Sequence, residues 1–407
     1  MPWMTCDAMK LKRDFVELAS CEGVNLRELC RRFGITPPTA YKWLARYREH
    51  GVGGLAELAR KPQESPGKTA AGIEERVVAA RREHPAWGGR KLRRWLQNRG
   101  VEGVPAASTI TAILRRHGLL EKPAGPSGKG WQRFERKAPN ELWQMDFKGW
   151  FRTRDDGPCH PLTALDDHSR FNLLLEACAG ETFAGVRPLL EQAFRVYGLP
   201  EAILCDNGKP WGDSSGHFTK FEAWLVRMGV KVYHGRPRHP QTQGKEERFH
   251  RTLDAEVLSR TTEWHDLAHC QRAFAAWREI YNGERPHELL DDEVPSSRYR
   301  VSERRMPEHL PAAGQWYGDC DEVRKVGSKG AVSVRGVLWT IGEAFSGEAI
   351  ALRETAAGRL EVYYCWKKLG VIDLQAHREQ GGGACGMLTE RTTGRREESV
   401  NDVPEQV

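Results

Sequence analysis

The apolar residues of this chain change period near residue 140, and that change constrains the fold more than any other feature. Ahead of it they recur at helical spacing, as in Leu26, Leu29, Cys30 and Phe33. Behind it, short apolar runs of strand length alternate with helix-length segments up to about residue 300. From 310 to 375 only short alternating runs remain, such as Ala331–Val334 and Leu360–Tyr364, parted by Gly turns. No single sheet or bundle accommodates all three patterns, and 407 residues exceed one ordinary domain. The expectation is a multidomain chain of all-α modules, then an α/β core, then a small all-β domain.

At the front, Phe15, Val16, Leu18 and Ala19 give a first apolar face. Asn25 is placed to cap a second helix, with Glu28 as its capping-box partner and Gly34 as its stop. Thr36 is expected to cap a third helix that opens with Pro37 and runs through Tyr41, Trp43, Leu44 and Tyr47. This order, with Thr39, Lys42 and Arg46 exposed, is a helix-turn-helix suited to a DNA major groove. A small bundle without a ligand has the same pattern. After a Gly/Pro/Ser-rich stretch at 51–67, however, helices are predicted again at about 73–84, 90–99 and 107–117. Arg90, Lys91 and Arg94 cluster on the second of these, and Arg115 and Arg116 close the third. Residues 1–137 carry 27 Lys+Arg against 14 Asp+Glu, the rest 35 against 41, so the basic charge lies with the tandem modules. Repetition and charge together point to DNA binding.

The ten cysteines are scattered without a C-x-x-C pair or zinc spacing, as reduced thiols are. No apolar run approaches a membrane span, and no signal-peptide pattern opens the chain. The expected location is cytoplasmic.

Three acids stand out by position. Asp146 lies inside a predicted strand, amid Leu142, Trp143, Met145 and Phe147, where a carboxylate is costly unless paired or bound to a cation. Asp206 ends the short apolar run Ala202–Cys205, at the edge where open α/β sheets hold ligands. Glu247 opens a helix at 244–258 whose buried face is Phe249, Leu253, Val257 and Leu258. Taken singly, each acid has an ordinary structural explanation: a turn cap, an ion pair, a solvated helix residue. Together they form a set of hard oxygen donors that suits Mg²⁺ or Mn²⁺. Two such ions can clamp the attacking and leaving oxygens of a phosphoryl displacement.

Several motifs then occur in order: Trp143–Gly149, Leu165–Arg170 (Leu-Asp-Asp-His-Ser-Arg), Cys205–Gly208, His239–Leu253 and Tyr281–His287, followed by Pro295 and Tyr299. In these the chain resembles the bacterial insertion-sequence transposases of the retroviral integrase superfamily, the DDE enzymes with a ribonuclease H-like core. The resemblance covers roughly 140–300. It implies Asp146, Asp206 and Glu247, not Glu246, as catalytic and metal-binding residues, with two Mg²⁺ or Mn²⁺ ions per site. Forty residues lie between Asp206 and Glu247, more than the family's usual spacing, which implies an insertion at Trp211–His217. His239, Gln241, Lys245 and Arg248 border this site as candidate DNA contacts or as ordinary surface residues. Trp143, Trp150 and the segment 130–134 are aromatic-basic candidates for stacking on unpaired bases, with core packing the better role for Trp143.

The expected organisation is a helix-turn-helix domain at 1–60, a second at 70–120 and a flexible linker at 121–139. A ribonuclease H-like integrase core at 140–305, a small β domain at 310–375 and a disordered tail at 376–407 complete it. The front modules would bind the terminal inverted repeats, and the core would cut a strand and join its end to target DNA. The resemblance further implies a homo-oligomer on DNA. A regulator that binds DNA without catalysing, or a simple metal-dependent nuclease, are the other readings of the same residues.

Overall fold

Residues 8–57, 68–120, 135–212, 217–235, 244–356, 358–379 and 381–391 are described by the structure, a computed structural model. By contact the chain divides into two units, the first ending at Thr69. The first holds helices α1 (Ala8–Ala19), α2 (Leu26–Phe33) and α3 (Pro37–His50) around Phe15, Val16, Leu29, Trp43, Leu44 and Leu55. Asn25 accepts from the Arg27 and Glu28 N–H groups, and Gly34 ends α2 in the left-handed region. Thr36 stands at the cap position of α3 but makes no bond to its backbone. Pro37 and Pro38 remove two of the N–H groups a cap would serve, and its hydroxyl meets that of Thr39 at 2.9 Å instead. Leu18, expected inside, is 42% exposed.

The second unit opens with α4 (Ala71–Glu83), α5 (Gly89–Asn98) and α6 (Ala107–Arg116), closed on Val77, Trp87, Leu92, Trp95, Ile110 and Leu114. The core sheet follows. Its strands are β1 (Trp143–Phe147), β2 (Phe151–Arg152), β3 (Pro158–Asp166), β4 (Asn172–Cys178), β5 (Ala202–Cys205) and β6 (Lys231–His234). β1 and β3 pair antiparallel with Asp146 opposite Thr163, and β3 pairs antiparallel with β4. β5 runs parallel to β1 on its other edge, and β6 parallel to β5. The sheet order is therefore β4-β3-β1-β5-β6, with β2 prolonging the β1–β3 hairpin. A single strand is expected over 142–150, yet Gly149 takes a φ of +91° and parts β1 from β2.

Helices α7 (Phe183–Tyr197) and α8 (Lys220–Arg227) pack on one apolar cluster with Trp143, Met145 and Phe147. Helices α9 (Gly244–Glu256) and α10 (Leu267–Gly283) pack on another with Leu165 and Leu175, which gives the sheet helices on both faces. The short helix α11 (Pro295–Arg298) closes the core. Two small sheets follow, built from β7 (Glu322–Lys325), β8 (Ala331–Val334), β9 (Val337–Thr340), β10 (Ala349–Ala356), β11 (Arg359–Tyr364) and β12 (Lys367–Asp373). Their common core takes in Ala223 and Val226 of α8.

The chain beyond 376 corrects the expectation of a disordered tail as far as residue 391. Helix α12 (Leu374–Glu379) and strand β13 (Cys385–Met387) are formed, and β13 pairs parallel with β9. Gly386 lies against the Trp339 ring, where a Cβ would stand 2.6 Å from it, and Leu388 is buried. Residues 381–383 act as the turn that permits this return. The expected linker falls outside the described residues over 121–134, as does the tail after 391.

Candidate active site

Parallel pairing of β1 with β5 brings the first two acids to adjacent strands. Asp146 lies among buried Met145 and Phe147, its Oδ1 accepting from the Phe147 N–H at 2.8 Å. Burial pushes its carboxyl up to about 7, and the charges of Asp206, Glu181 and Glu247 push in the same direction. Asp206 follows the fully buried β5, and its Oδ1 accepts from the Gly208 N–H at 2.9 Å. Its carboxyl is also raised, by burial first. A Cβ on Gly208 would stand 3.0 Å from Asp206 Oδ2, so the Asp-Asn-Gly order leaves that carboxylate room.

Behind Asp206 sits a buried histidine that the sequence reading missed. His234 ends β6; Nδ1–H donates to the Asp206 carbonyl at 2.8 Å, and Nε2–H donates to Glu222 on α8 at 3.1 Å. Burial opposes its charge, but Cys205 and Glu222 hold the imidazole above its ordinary range. Its partners lie 28 and 12 residues away in sequence. Only β5–β6 pairing assembles them, so no local signal announces the cluster.

The neighbouring glutamates of α9 face opposite ways. Glu246 is fully buried, with Oε2 accepting from the Thr163 hydroxyl at 3.0 Å and Oε1 unpartnered. Burial and the Asp146 charge raise its carboxyl well above the usual range. Glu247 is exposed in the first turn of α9. The Thr163 hydroxyl, opposite Asp146 in β3, stands 3.0 Å from the Asp146 carbonyl as well, sharing its one proton between the two oxygens, and links the two layers. Among the described residues no three carboxylate, imidazole or thiol groups converge on one point as a closed ligand set. The donor chemistry nevertheless fits a hard divalent cation. Mutually repelling carboxylates, one raised to about 7, are the arrangement whose repulsion a bound cation reverses.

Each remaining expected contact has a definite place. Lys245 is turned inward, its Nζ 2.5 Å from Asp167 Oδ1 and 3.2 Å from the Asp167 carbonyl, and burial lowers its amine to about 8. Asp167 also accepts from Gln144 at 2.6 Å and from the Arg136 N–H at 2.8 Å, so it ties β1, the approach to β1 and the first turn of α9 together. Asp166 likewise accepts from the Asn140 and Ser169 N–H groups, both at 2.7 Å. The acids of Leu-Asp-Asp-His-Ser-Arg are scaffold, not site. Arg248 is exposed on α9, and His239 and Gln241 lie outside the described residues.

On α5, Arg90 pairs with Glu288 and Arg94 with Glu293. Lys91 is half-buried, its amine lowered to about 8 by burial and by Arg285. Arg116 pairs with Glu74 at 2.7 Å, and Arg115 is exposed. In the first unit Lys42 and Arg46 lie 5.5 and 5.2 Å from the Trp43 ring centroid, and Thr39 is half-buried against Thr36. Trp143 is buried and Trp150 is 66% exposed. The described residues include no helix long and apolar enough to cross a membrane.

Comparison with known proteins matches these regions to families. Residues 11–62 match a helix-turn-helix domain and 39–114 a homeodomain-like domain. Residues 136–240 and 228–295 each match an integrase core domain, and 321–380 the C-terminal domain of IS481 family transposases. An uncharacterized 31.7 kDa protein of insertion element IS407 from Burkholderia multivorans is 28% identical over 179 residues, 44% of this chain and 61% of that protein. An uncharacterized 39.2 kDa protein of insertion element IS476 from Xanthomonas euvesicatoria is 24% identical over 269 residues, 64% of this chain and 74% of that one. The catalytic core domain of BIV integrase is similar at 20% identity and a TM-score of 0.30, over 39% of this chain and 92% of that one. With an integrase core ahead of an IS481-type C-terminal domain, and insertion-element proteins among its relatives, the chain is similar to insertion-sequence transposases that carry an integrase core.

Proposed function

We propose that this chain cuts and joins DNA as a transposase, with Asp146, Asp206 and Glu247 holding two Mg²⁺ or Mn²⁺ ions. The observation that carries the reading is the pair of raised carboxylates at adjacent parallel strands, with exposed Glu247 acting electrostatically on Asp146. The opposite orientations of Glu246 and Glu247 favour Glu247 as the third ligand, because a fully buried carboxyl cannot reach a phosphodiester. When bound, the ions supply an activated oxygen nucleophile and neutralise charge on the phosphate. The protein's part is positional: Gly208 and His234 set the Asp206 carboxylate and its backbone, and Lys245 pins the first turn of α9 to Asp167. In the joining step a 3′-hydroxyl oxygen bonds to the target phosphorus and gives its proton to water, while the bond from that phosphorus to its own 3′-oxygen breaks and the leaving oxygen takes a proton from water.

The matches to helix-turn-helix and homeodomain-like domains support terminal-repeat binding by α1–α3 and by α4–α6. In this reading exposed Lys42 and Arg115 and half-buried Arg46 touch DNA, and a homo-oligomer brings two ends together. Strand transfer with purified chain, Mg²⁺ and a labelled duplex bearing the gene's flanking ends tests the whole. Joined products are expected with the native chain and at least a thousandfold less with Asp206→Asn, about 4 kcal/mol of lost transition-state stabilisation. End binding with neither cutting nor joining, in Mg²⁺ and in Mn²⁺, overturns the reading in favour of a regulator.

A further inference from the structure

Beyond Asp146 the β1–β3 hairpin carries a feature that neither the sheet nor the acids explain. Trp150 is 66% exposed, the highest fraction among the described large apolar side chains. A tryptophan so placed leaves most of a large apolar surface in water. It stands at the rim of a cleft of about 410 Å³, a volume in the range of small-ligand sites, between the hairpin and the end of α9. The floor is Phe151 against buried Trp264, ring centroids 5.3 Å apart. Its wall is pinned, because the Arg154 and Asp155 N–H groups donate to the Trp264 and His265 carbonyls at 2.9 and 2.8 Å.

Basic residues flank the ring. Lys148 lines the cleft just past the end of β1, two residues after Asp146, and exposed Arg152 follows Trp150. Asp254 meets Lys148 at 3.5 Å, but that pair is 22% and 52% exposed, a contact weak enough for a phosphate to compete with it. On α9, exposed Arg251 stands one turn beyond Glu247 and continues the basic track from the acids. From Asp146 to Trp150 the backbone spans at most about 13 Å, the rise of roughly four stacked bases.

We propose that this cleft is a nucleobase subsite, in which an unpaired base of the DNA strand held at Asp146 stacks on Trp150 while Lys148 and Arg152 meet its phosphates. The proposal rests on the transposase reading for the strand's identity, but its test needs no catalysis. The full chain is titrated, with Ca²⁺ replacing Mg²⁺, against a short duplex ending in a single-stranded overhang and against the same duplex blunt. The overhang is expected to bind tighter. Trp150→Ala should remove that preference, weakening overhang binding about five- to a hundredfold and leaving the blunt duplex unchanged, whereas Trp150→Phe retains most of it. A photoreactive 5-iodouracil in the overhang should crosslink to the native chain and not to Trp150→Ala. Equal binding of the two duplexes by the native chain, or an equal loss on both in Trp150→Ala with unchanged circular dichroism, overturns the subsite. If strand transfer fails while the overhang preference holds, the transposase reading falls and the subsite stands.

Discussion

At the residue scale the informative groups are those whose environment opposes their charge. Asp146 has an ordinary value of 3.8 and is raised to about 7, so in metal-free protein its contribution to stability is present below 3.8 and is lost as pH climbs through about 7. Asp146→Asn is therefore expected to stabilise the metal-free chain by about 1–3 kcal/mol at about pH 8 and to be near neutral at about pH 4. Melting temperatures in EDTA at the two values read this directly. An equal effect at both would mean that Asp146 titrates as an ordinary carboxyl. The acids themselves were legible in sequence, since a carboxylate inside Trp-Gln-Met-Asp-Phe or at the end of Ala-Ile-Leu-Cys is conspicuous. Glu246 and Lys245 were not. Whether a residue near a helix start faces water or the sheet depends on how that helix is rolled, and the Thr163 and Asp167 contacts decide this from far away in the chain.

At the element scale, α9 carries Glu247 and is held at both ends. Its first turn is fastened by Lys245 to Asp167, and its last by Glu256, which accepts from Arg285 at 2.9 Å and Trp277 at 3.0 Å. The Arg285–Glu256 pair is 7% and 9% exposed, so Arg285→Ala strands a buried carboxylate and is expected to cost about 3–5 kcal/mol. Arg90→Ala breaks a pair with Glu288 that is 60% and 57% exposed, and should cost less than about 1 kcal/mol. Urea unfolding of the two variants distinguishes these cases, and similar losses would contradict the burial argument. Helix positions were readable because 3.6-residue periodicity is local, as for α4–α6 and α9. The break in β1 at Gly149 and the return strand β13 were not, because each is set by its partner: Pro161 takes the Lys148 N–H, and β9 pairs with β13.

At the scale of the whole molecule, α8 belongs to two cores. All six residues from Phe221 to Val226 are buried, Phe221, Trp224 and Leu225 toward the integrase sheet and Ala223 and Val226 toward the small β sheets. Trp366 Nε1 donates to the Val226 carbonyl at 2.9 Å, and Arg227 pairs with Glu348 at 3.1 Å. A chain ending after Glu308 would expose that second face, and is expected to melt lower and aggregate. A chain of residues 68–407 should keep the melting transition of its unit, because the first unit has its own core. Calorimetry of the two truncations tests this. Equal stability after loss of the β sheets would mean that they pack on α8 without supporting it.

What this sequence determined alone is what short-range physics encodes. Hydrophobic period sets the helices and strands, Asn25 and Gly34 bound α2, and an acid in an apolar run marks a position that needs a cation or a partner. Only the tertiary structure decided which polar groups meet. Parallel pairing of β1 with β5 sets Asp146 beside Asp206, β6 brings His234 under the Asp206 carbonyl, and glutamates of the core take Arg90 and Arg94 from a helix read as DNA-facing. Hydrogen bonds and ion pairs act over a few ångströms, and chain separations of dozens to nearly two hundred residues are closed only by the packing of the sheet and its helices.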